Sequence, residues 1–280
     1  MRNSYAKKLV SISLIFVVIL TLASCQGRTS SSGHGSGADS AGSYEASEPP
    51  ETIIPDSHLR AQEKFTLNDD TVGWLQVPGT TVDDVVLWYP HDNDFYHRRD
   101  FDHNYSKTGV YYADFRSSFQ GGRDGLSQNT VIYGHSMEDE PDGPIFSQLK
   151  KFLDEDFAKK HPYISFSTTD EDMVWEVFAV FHCYVADDRT NNFMYYNSPV
   201  FESAQAYSDV ISEAMKRSYY TYDTQVTADD KILTLSTCCY NITPAYPNNY
   251  RYAVMAKLVD ADSVLKEKAS FQVNPSPKEP

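Results

Sequence analysis

Lys231-Ile-Leu-Thr-Leu-Ser-Thr-Cys238 and, a short interval later, Arg251-Tyr-Ala-Val-Met-Ala-Lys-Leu258 are the stretches on which the reading of this chain turns. Both predict strands by their period-two alternation. In the first, Leu233, Leu235 and Thr237 share one face, and Ile232, Thr234, Ser236 and Cys238 share the other. In the second, Tyr252, Val254, Ala256 and Leu258 form the apolar face, which turns Arg251 to the opposite side. The segment between them, Cys239 to Tyr250, contains Pro244, Pro247 and Asn248-Asn249 and reads as a loop. Two strands joined this way are expected to pair as neighbours, with a thiol and a guanidinium at their facing ends.

A third piece lies upstream in Asn129-Thr-Val-Ile-Tyr-Gly-His135, a short apolar strand that ends on a glycine and then presents an imidazole. Chemistry links the three. A free thiol, with a pKa near 8.5, is mostly protonated at neutral pH, so a nucleophilic cysteine needs a basic or cationic neighbour. His135 can take the thiol proton and later return it to a leaving amine. Acyl transfer also places negative charge on a carbonyl oxygen, and a fixed guanidinium such as that of Arg251 stabilises it. Taken alone, a cysteine ending an apolar strand is more often a small buried hydrophobe. The ordered trio favours a Cys/His/Arg active site.

Other reactive residues read as structural. His182 and Cys183 lie in the long apolar run Met173 to Val185 and are expected to pack in the core. His91, His97 and His103 are interspersed with aspartates, yet their spacing fits no common zinc pattern, so no metal site is expected. No glycine-rich phosphate loop or cofactor fingerprint follows a strand, and no cofactor is expected.

T-L-S-T-C, Y-G-H and R-x-x-V-x-A-x-L, in this order, resemble the signatures of sortases, and of class B in particular. Asp69 to Val77, Asp92 to Tyr96, Asp100-Phe101 and Gly109 to Asp114 resemble further segments of the same class. The similarity runs over residues 55–262, leaving 263–280 as a C-terminal tail. The resemblance implies a mainly β fold, a sortase-type closed barrel of about eight strands with peripheral helices. It implies a cysteine transpeptidase that cleaves a sorting motif near the C-terminus of a secreted protein and passes the acyl group to an amine of peptidoglycan or its precursor. Proline second and threonine fourth in that motif follow by the same analogy. Matched by position, Cys238 is the nucleophile, His135 the general acid/base and Arg251 the oxyanion or substrate-orienting cation. Ser236, Thr237 and Tyr133 match positions lining the substrate groove.

Three departures stand out against the class: a longer interval between Cys238 and Arg251, a second cysteine at Cys239, and the acidic, proline-containing segment Glu138 to Pro144 after the histidine. Cys239 should point to the opposite side from Cys238, which argues against a vicinal disulfide. A secreted thiol peptidase that only hydrolyses and a non-catalytic peptide-binding lipoprotein on a sortase scaffold are the competing readings. Amine ligation and Cys238-dependent turnover separate them from a transpeptidase.

Residues 1–25 have a basic start, an apolar run from Leu9 to Ala23, and Leu22-Ala-Ser-Cys25. This resembles a lipobox, which implies lipidation of Cys25 and a two-chain membrane anchor. An uncleaved signal anchor is the alternative. Residues 26–54 are rich in Ser and Gly and predict a flexible tether. The catalytic domain is therefore expected outside the cytoplasm, held at the membrane. Cys183, Cys238 and Cys239 then remain, with no small-scaffold disulfide spacing. The net charge of −15, from 24 basic and 39 acidic residues, argues against nucleic acid as a partner.

Strands are predicted near 73–77, 85–88, 109–113, 130–133, 163–167, 173–185, 231–236 and 251–259, and helices near 145–160 and 200–219. In the second helix Phe201, Ala204, Tyr207, Ile211 and Ala214 recur at helical spacing and predict one face packed on the barrel.

Overall fold

The computed structural model describes residues 56–280 except 138, 187–190, 198, 241 and 243–248. The expected signal, lipidation site Cys25 and tether lie outside the described residues. In chain order the elements are α1 (Ser57–Phe65), β1 (Thr71–Gln76), β2 (Asp83–Trp88), β3 (Tyr111–Ala113), the single turn α2 (Gly122–Gly125) and β4 (Asn129–Tyr133). A 3₁₀ helix (Phe146–Leu153), α3 (Glu155–Lys160), β5 (Tyr163–Thr168), β6 (Val174–Tyr184) and α4 (Ala204–Arg217) follow. The chain then forms β7 (Tyr220–Tyr222), β8 (Ile232–Cys239), β9 (Tyr250–Leu258) and β10 (Phe271–Val273).

Eight strands close into a barrel in the order β1-β2-β3-β4-β8-β9-β6-β5, with β5 returning to β1. Closure leaves the barrel itself no edge strand to template aggregation. The β2–β3 and β4–β8 pairs are parallel and the rest antiparallel. Alternation along β8 and β9 sorts side chains as expected. Leu233, Leu235, Tyr252, Val254 and Ala256 enter the barrel core with Phe146, Phe166 and Trp175. Ile232, Ala253 and Met255 face outward into a second cluster with Tyr207, Ile211 and Ala214 of α4. In β6 the inward positions change from odd (Trp175, Val177) to even (Val180, Tyr184) across a register shift between Val177 and Ala179.

The helix expected over 145–160 is two elements. Asp154 adopts an extended backbone and its side chain caps α3 by accepting the Phe157 amide at 2.8 Å, which breaks the run in the middle. The helix expected over 200–219 is shorter, because Ser203 caps it by accepting the Ala206 amide at 3.1 Å and Ser218 leaves it extended. Ala204, in its first turn, is exposed rather than packed. Gly109, at φ +63°, delays the strand expected at 109–113 until Tyr111. The 263–280 segment contributes β10, which pairs with β7 and sets the Phe271 ring 4.4 Å from that of Tyr220. Among the described residues no helix is long and apolar enough to cross a membrane.

His182 and Cys183 pack in β6 as expected. Burial pushes the Cys183 thiol up to about 12. Burial, reinforced by the Lys150 charge, lowers His182 to about 4, while its Nδ1 lies 2.6 Å from the Tyr219 hydroxyl. Between pH 6.5 and 4 the unfolded chain binds a proton at this position that the folded chain refuses, so stability falls with falling pH. The expected loss between pH 7 and 4.5 is about 2 to 3 kcal/mol from this group. Urea denaturation across that range checks it, and a His182→Asn variant should lose that part of the slope.

Candidate active site

The parallel β4–β8 pair and the antiparallel β8–β9 pair converge on one point. Tyr133 of β4 stands beside Ser236 of β8, and the Gly134 amide donates to the Ser236 carbonyl at 3.3 Å. The Thr237 hydroxyl donates to the Gly134 carbonyl at 2.7 Å. Two parallel chain ends held in register carry His135 alongside Cys238. Across the other edge Cys238 is paired directly with Arg251, and residues so paired have Cβ atoms about 4.5–5.5 Å apart. Gly134 is required where it stands, because a Cβ there would lie 2.7 Å from the Phe146 ring.

Cys238, His135 and Arg251 line a common cleft of about 280 Å³. Cys238 is partly exposed, whereas Cys239, one residue on, is 3% exposed and belongs to the barrel core. The alternation thus separates the two sulfurs. A larger groove of about 410 Å³ beside α4 holds no cysteine, histidine or carboxylate on its walls. Chemistry, not volume, identifies the site.

The ring of His135 is oriented by the chain behind it. Its Nε2 lies 2.6 Å from the His97 carbonyl. A carbonyl only accepts, so Nε2 carries the proton and Nδ1 is the basic nitrogen of the neutral ring. Gly109 would meet the His135 Cδ2 at 3.2 Å if it carried a Cβ, so this edge of the ring packs against the Gly109 backbone, while the residue also lines the cleft. Burial lowers the His135 pKa, the His97 carbonyl opposes this, and the His97 and Arg98 charges add to the lowering. At neutral pH the imidazole is consequently in its basic, uncharged form. The His97 ring lies 4.5 Å from it, and its own pKa is lowered mainly by burial.

Arg251 is half-buried, and its Nη1 donates to the Tyr250 carbonyl at 2.9 Å. Burial alone would lower its pKa, but the charge of an ionised Cys238 thiol is the largest of the opposing effects and leaves it above the ordinary arginine value. Tyr240 also stands at the site, its hydroxyl donating to the Ser136 carbonyl at 3.3 Å. Burial first, then the nearby Cys238 thiol, raise its pKa to about 12. Tyr240 was absent from the sequence reading, although two residues after Cys238 on an extended chain is the same side.

The three groove residues matched by resemblance reach the cleft but spend their polar atoms internally. The Ser236 hydroxyl lies 2.6 Å from that of Tyr195, and Thr237 is tied to Gly134. The Tyr133 hydroxyl donates to Asp114 at 2.9 Å. Asp114 is fully buried, grips Arg116 through both carboxylate oxygens, and accepts from Asn93 at 3.1 Å. Arg116 in turn donates to the Tyr196 carbonyl at 2.7 Å. Through this hub, walls from three separate chain segments (Asn93, Tyr133 and Tyr196) are fixed around the thiol. Asp114 ends the Gly109 to Asp114 segment that resembles the class, yet no role was read for it, and Arg116 lies beyond that segment.

The three histidines weighed as a metal group go to three places. His97 lies against His135, His91 meets Tyr89 edge to face, and His103 bonds the Tyr96 hydroxyl at 2.9 Å. Among the described residues, donor atoms of Asp56, His58 and Asp172 do cluster. The Asp172 carboxylate there accepts the Asp56 and His58 amides at 3.0 and 2.8 Å and so docks the start of α1.

The Sortase domain family matches residues 75–259. Sortase B of Listeria monocytogenes is 34% identical over 172 residues, which cover 61% of this chain and 64% of that protein. Sortase B of Staphylococcus aureus is 30% identical over 206 residues, covering 72% and 76%. The structure of a Staphylococcus aureus sortase B–substrate complex superposes with a TM-score of 0.60 at 27% identity, covering 76% of this chain and 88% of that one.

Proposed function

The chain belongs to the sortase family of cysteine transpeptidases, class B, and from that premise we propose that it cleaves a sorting motif of secreted proteins through an acyl-enzyme on Cys238. The observation that carries this reading is the flanking of one partly exposed thiol by a neutral imidazole on its parallel neighbour and a charged guanidinium on its antiparallel neighbour.

In the first half-reaction, Nδ1 of His135 takes the Cys238 proton as the sulfur attacks the substrate carbonyl carbon. The electron pair displaced onto oxygen is met by Arg251, and collapse of the intermediate expels the amine, protonated by His135. A thioester remains. In the second, an incoming amine gives its proton to His135, attacks the thioester carbonyl, and restores the thiol with a new amide. The lowered pKa of His135 suits this role, since the ring must accept a proton in each half-reaction and release it within the same one. The acceptor is an amine of peptidoglycan or its lipid-linked precursor, and the enzyme works outside the cytoplasm, held at the membrane by its N-terminal segment. The run of apolar residues ending in Leu22-Ala-Ser-Cys25 supports that placement.

The test is to incubate the purified protein with quenched sorting-motif peptides, with and without a glycine oligomer, and to identify products by mass. Cleavage with ligation is expected. Cleavage that yields only the free acid, whatever the amine concentration, would make the protein a thiol peptidase instead.

A further inference from the structure

Beneath the cleft lies an ion pair that the reaction does not use. Lys150, on the 3₁₀ helix, is 3% exposed, and its Nζ lies 2.7 Å from Oδ1 of Asp139, whose side chain is 6% exposed. A buried pair of this kind adds little stability over an apolar pair of the same volume, because desolvation offsets the attraction. Its contacts show another use. The Lys150 ammonium donates to the Ser136 hydroxyl at 2.5 Å, next to the catalytic histidine, and to the carbonyl of Cys238 itself at 3.4 Å. Asp139 Oδ2 accepts the Tyr240 amide at 2.7 Å and lies 3.8 Å from the Cys239 sulfur.

The two strands that carry the imidazole and the thiol end their mutual pairing at Tyr133 and Ser236, before the reactive residues themselves. Beyond that point the Thr237–Gly134 bond is joined by this pair, which touches the chain on the far side of both His135 and Cys238. The 3₁₀ helix is anchored to the histidine segment twice more, by the Phe146 amide to the His135 carbonyl at 3.0 Å and the Met137 amide to the Ser147 hydroxyl at 3.1 Å. Lys150 therefore projects from an element already fixed to one half of the site and grips the other half.

We propose that Lys150 and Asp139 are positioning residues that hold the Cys238 backbone against the His135 segment and so set the approach of thiol to imidazole. The inference deepens the transpeptidase reading and rests on it for its kinetic test. Lys150→Met is expected to lower kcat for peptide cleavage at least tenfold with KM changed less than threefold, and to slow alkylation of Cys238 by iodoacetamide at pH 7 at least fivefold. It also strands the Asp139 charge and lowers the melting temperature. The double variant Lys150→Met/Asp139→Asn removes both charges while an amide oxygen still meets the Tyr240 amide. Its melting temperature should recover most of that loss while kcat and alkylation stay low. Lys150→Arg, which keeps cationic donors, should restore alkylation at least partly.

Recovery of kcat and alkylation together with stability in the double variant would overturn the proposal and leave the pair a structural element. If Lys150→Met does not fold, Asp139→Asn alone carries the same expectation of slowed alkylation in folded protein, and an unchanged rate there contradicts it. Alkylation needs no sorting substrate. A wild-type protein that turns over no peptide but whose thiol responds to these variants would therefore sink the transpeptidase reading and not the positioning one.

Discussion

Cys238→Ala should abolish peptide cleavage and amine ligation together, by at least about 10⁴-fold, which is the scale on which removal of a covalent nucleophile is felt. The neighbouring sulfur offers no bypass, since Cys239 is 3% exposed and faces the barrel core. The fold should survive. Cys238 is only partly covered, its strand pairs through backbone on both sides, and losing one sulfur atom there is expected to shift stability by less than about 1 kcal/mol. Product masses and a thermal melt of the same preparation check both parts. Residual turnover within about 100-fold of wild type would point to a different nucleophile.

Arg251→Lys is expected to lower kcat by about 10² to 10³, close to what loss of one oxyanion donor brings. The change keeps the charge but replaces a planar fork with a mobile point charge. Arg251 faces Cys238 directly across the β8–β9 ladder, and its Nη1 is already steadied by the Tyr250 carbonyl at 2.9 Å. A shorter, more flexible cation would lose that steadying. Separate measurement of kcat and KM discriminates the two jobs the guanidinium can do. A fall in kcat alone assigns it to the developing oxyanion, whereas a rise in KM alone assigns it to holding the ground-state peptide.

The strands that carry Cys238 and Arg251 were legible in short-range patterns, whereas the closed barrel was expected only through the resemblance to sortases. Alternation in β8 and β9 put Cys238 and Arg251 on one side and Cys239 on the other, and the structure has them so. What stayed hidden depends on contacts between segments far apart in sequence. The break at Asp154 is local, an N-cap followed by Glu155 and Asp156 in the first turn, but nothing local marks Phe271 as the seed of a strand against Tyr220 and Tyr222. The shift in β6 that changes which residues face inward is equally invisible, since a run apolar on both faces has no alternation to break.

The site shows the same division. His135 was legible, but the group that fixes its tautomer is a backbone carbonyl at His97, which no residue type announces. Ser236, Thr237 and Tyr133 lie on the cleft wall, and their hydroxyls are committed to Tyr195, Gly134 and Asp114. Their contribution is to shape the walls. The acidic segment after His135 read as a loop insertion, and one of its members, Asp139, is instead drawn under the nucleophile by a lysine eleven positions on in the chain.

The central claim is that a peptidyl group passes through Cys238 on its way to an amine, and the most direct measurement is the intact mass of the enzyme quenched during turnover of a sorting peptide. The account expects an increment equal to the acyl fragment, mapped to Cys238. On addition of a glycine oligomer that increment should decay as the ligated peptide appears. An enzyme that cleaves the peptide with no adduct on Cys238, or whose adduct releases only the acid however much amine is supplied, would contradict it.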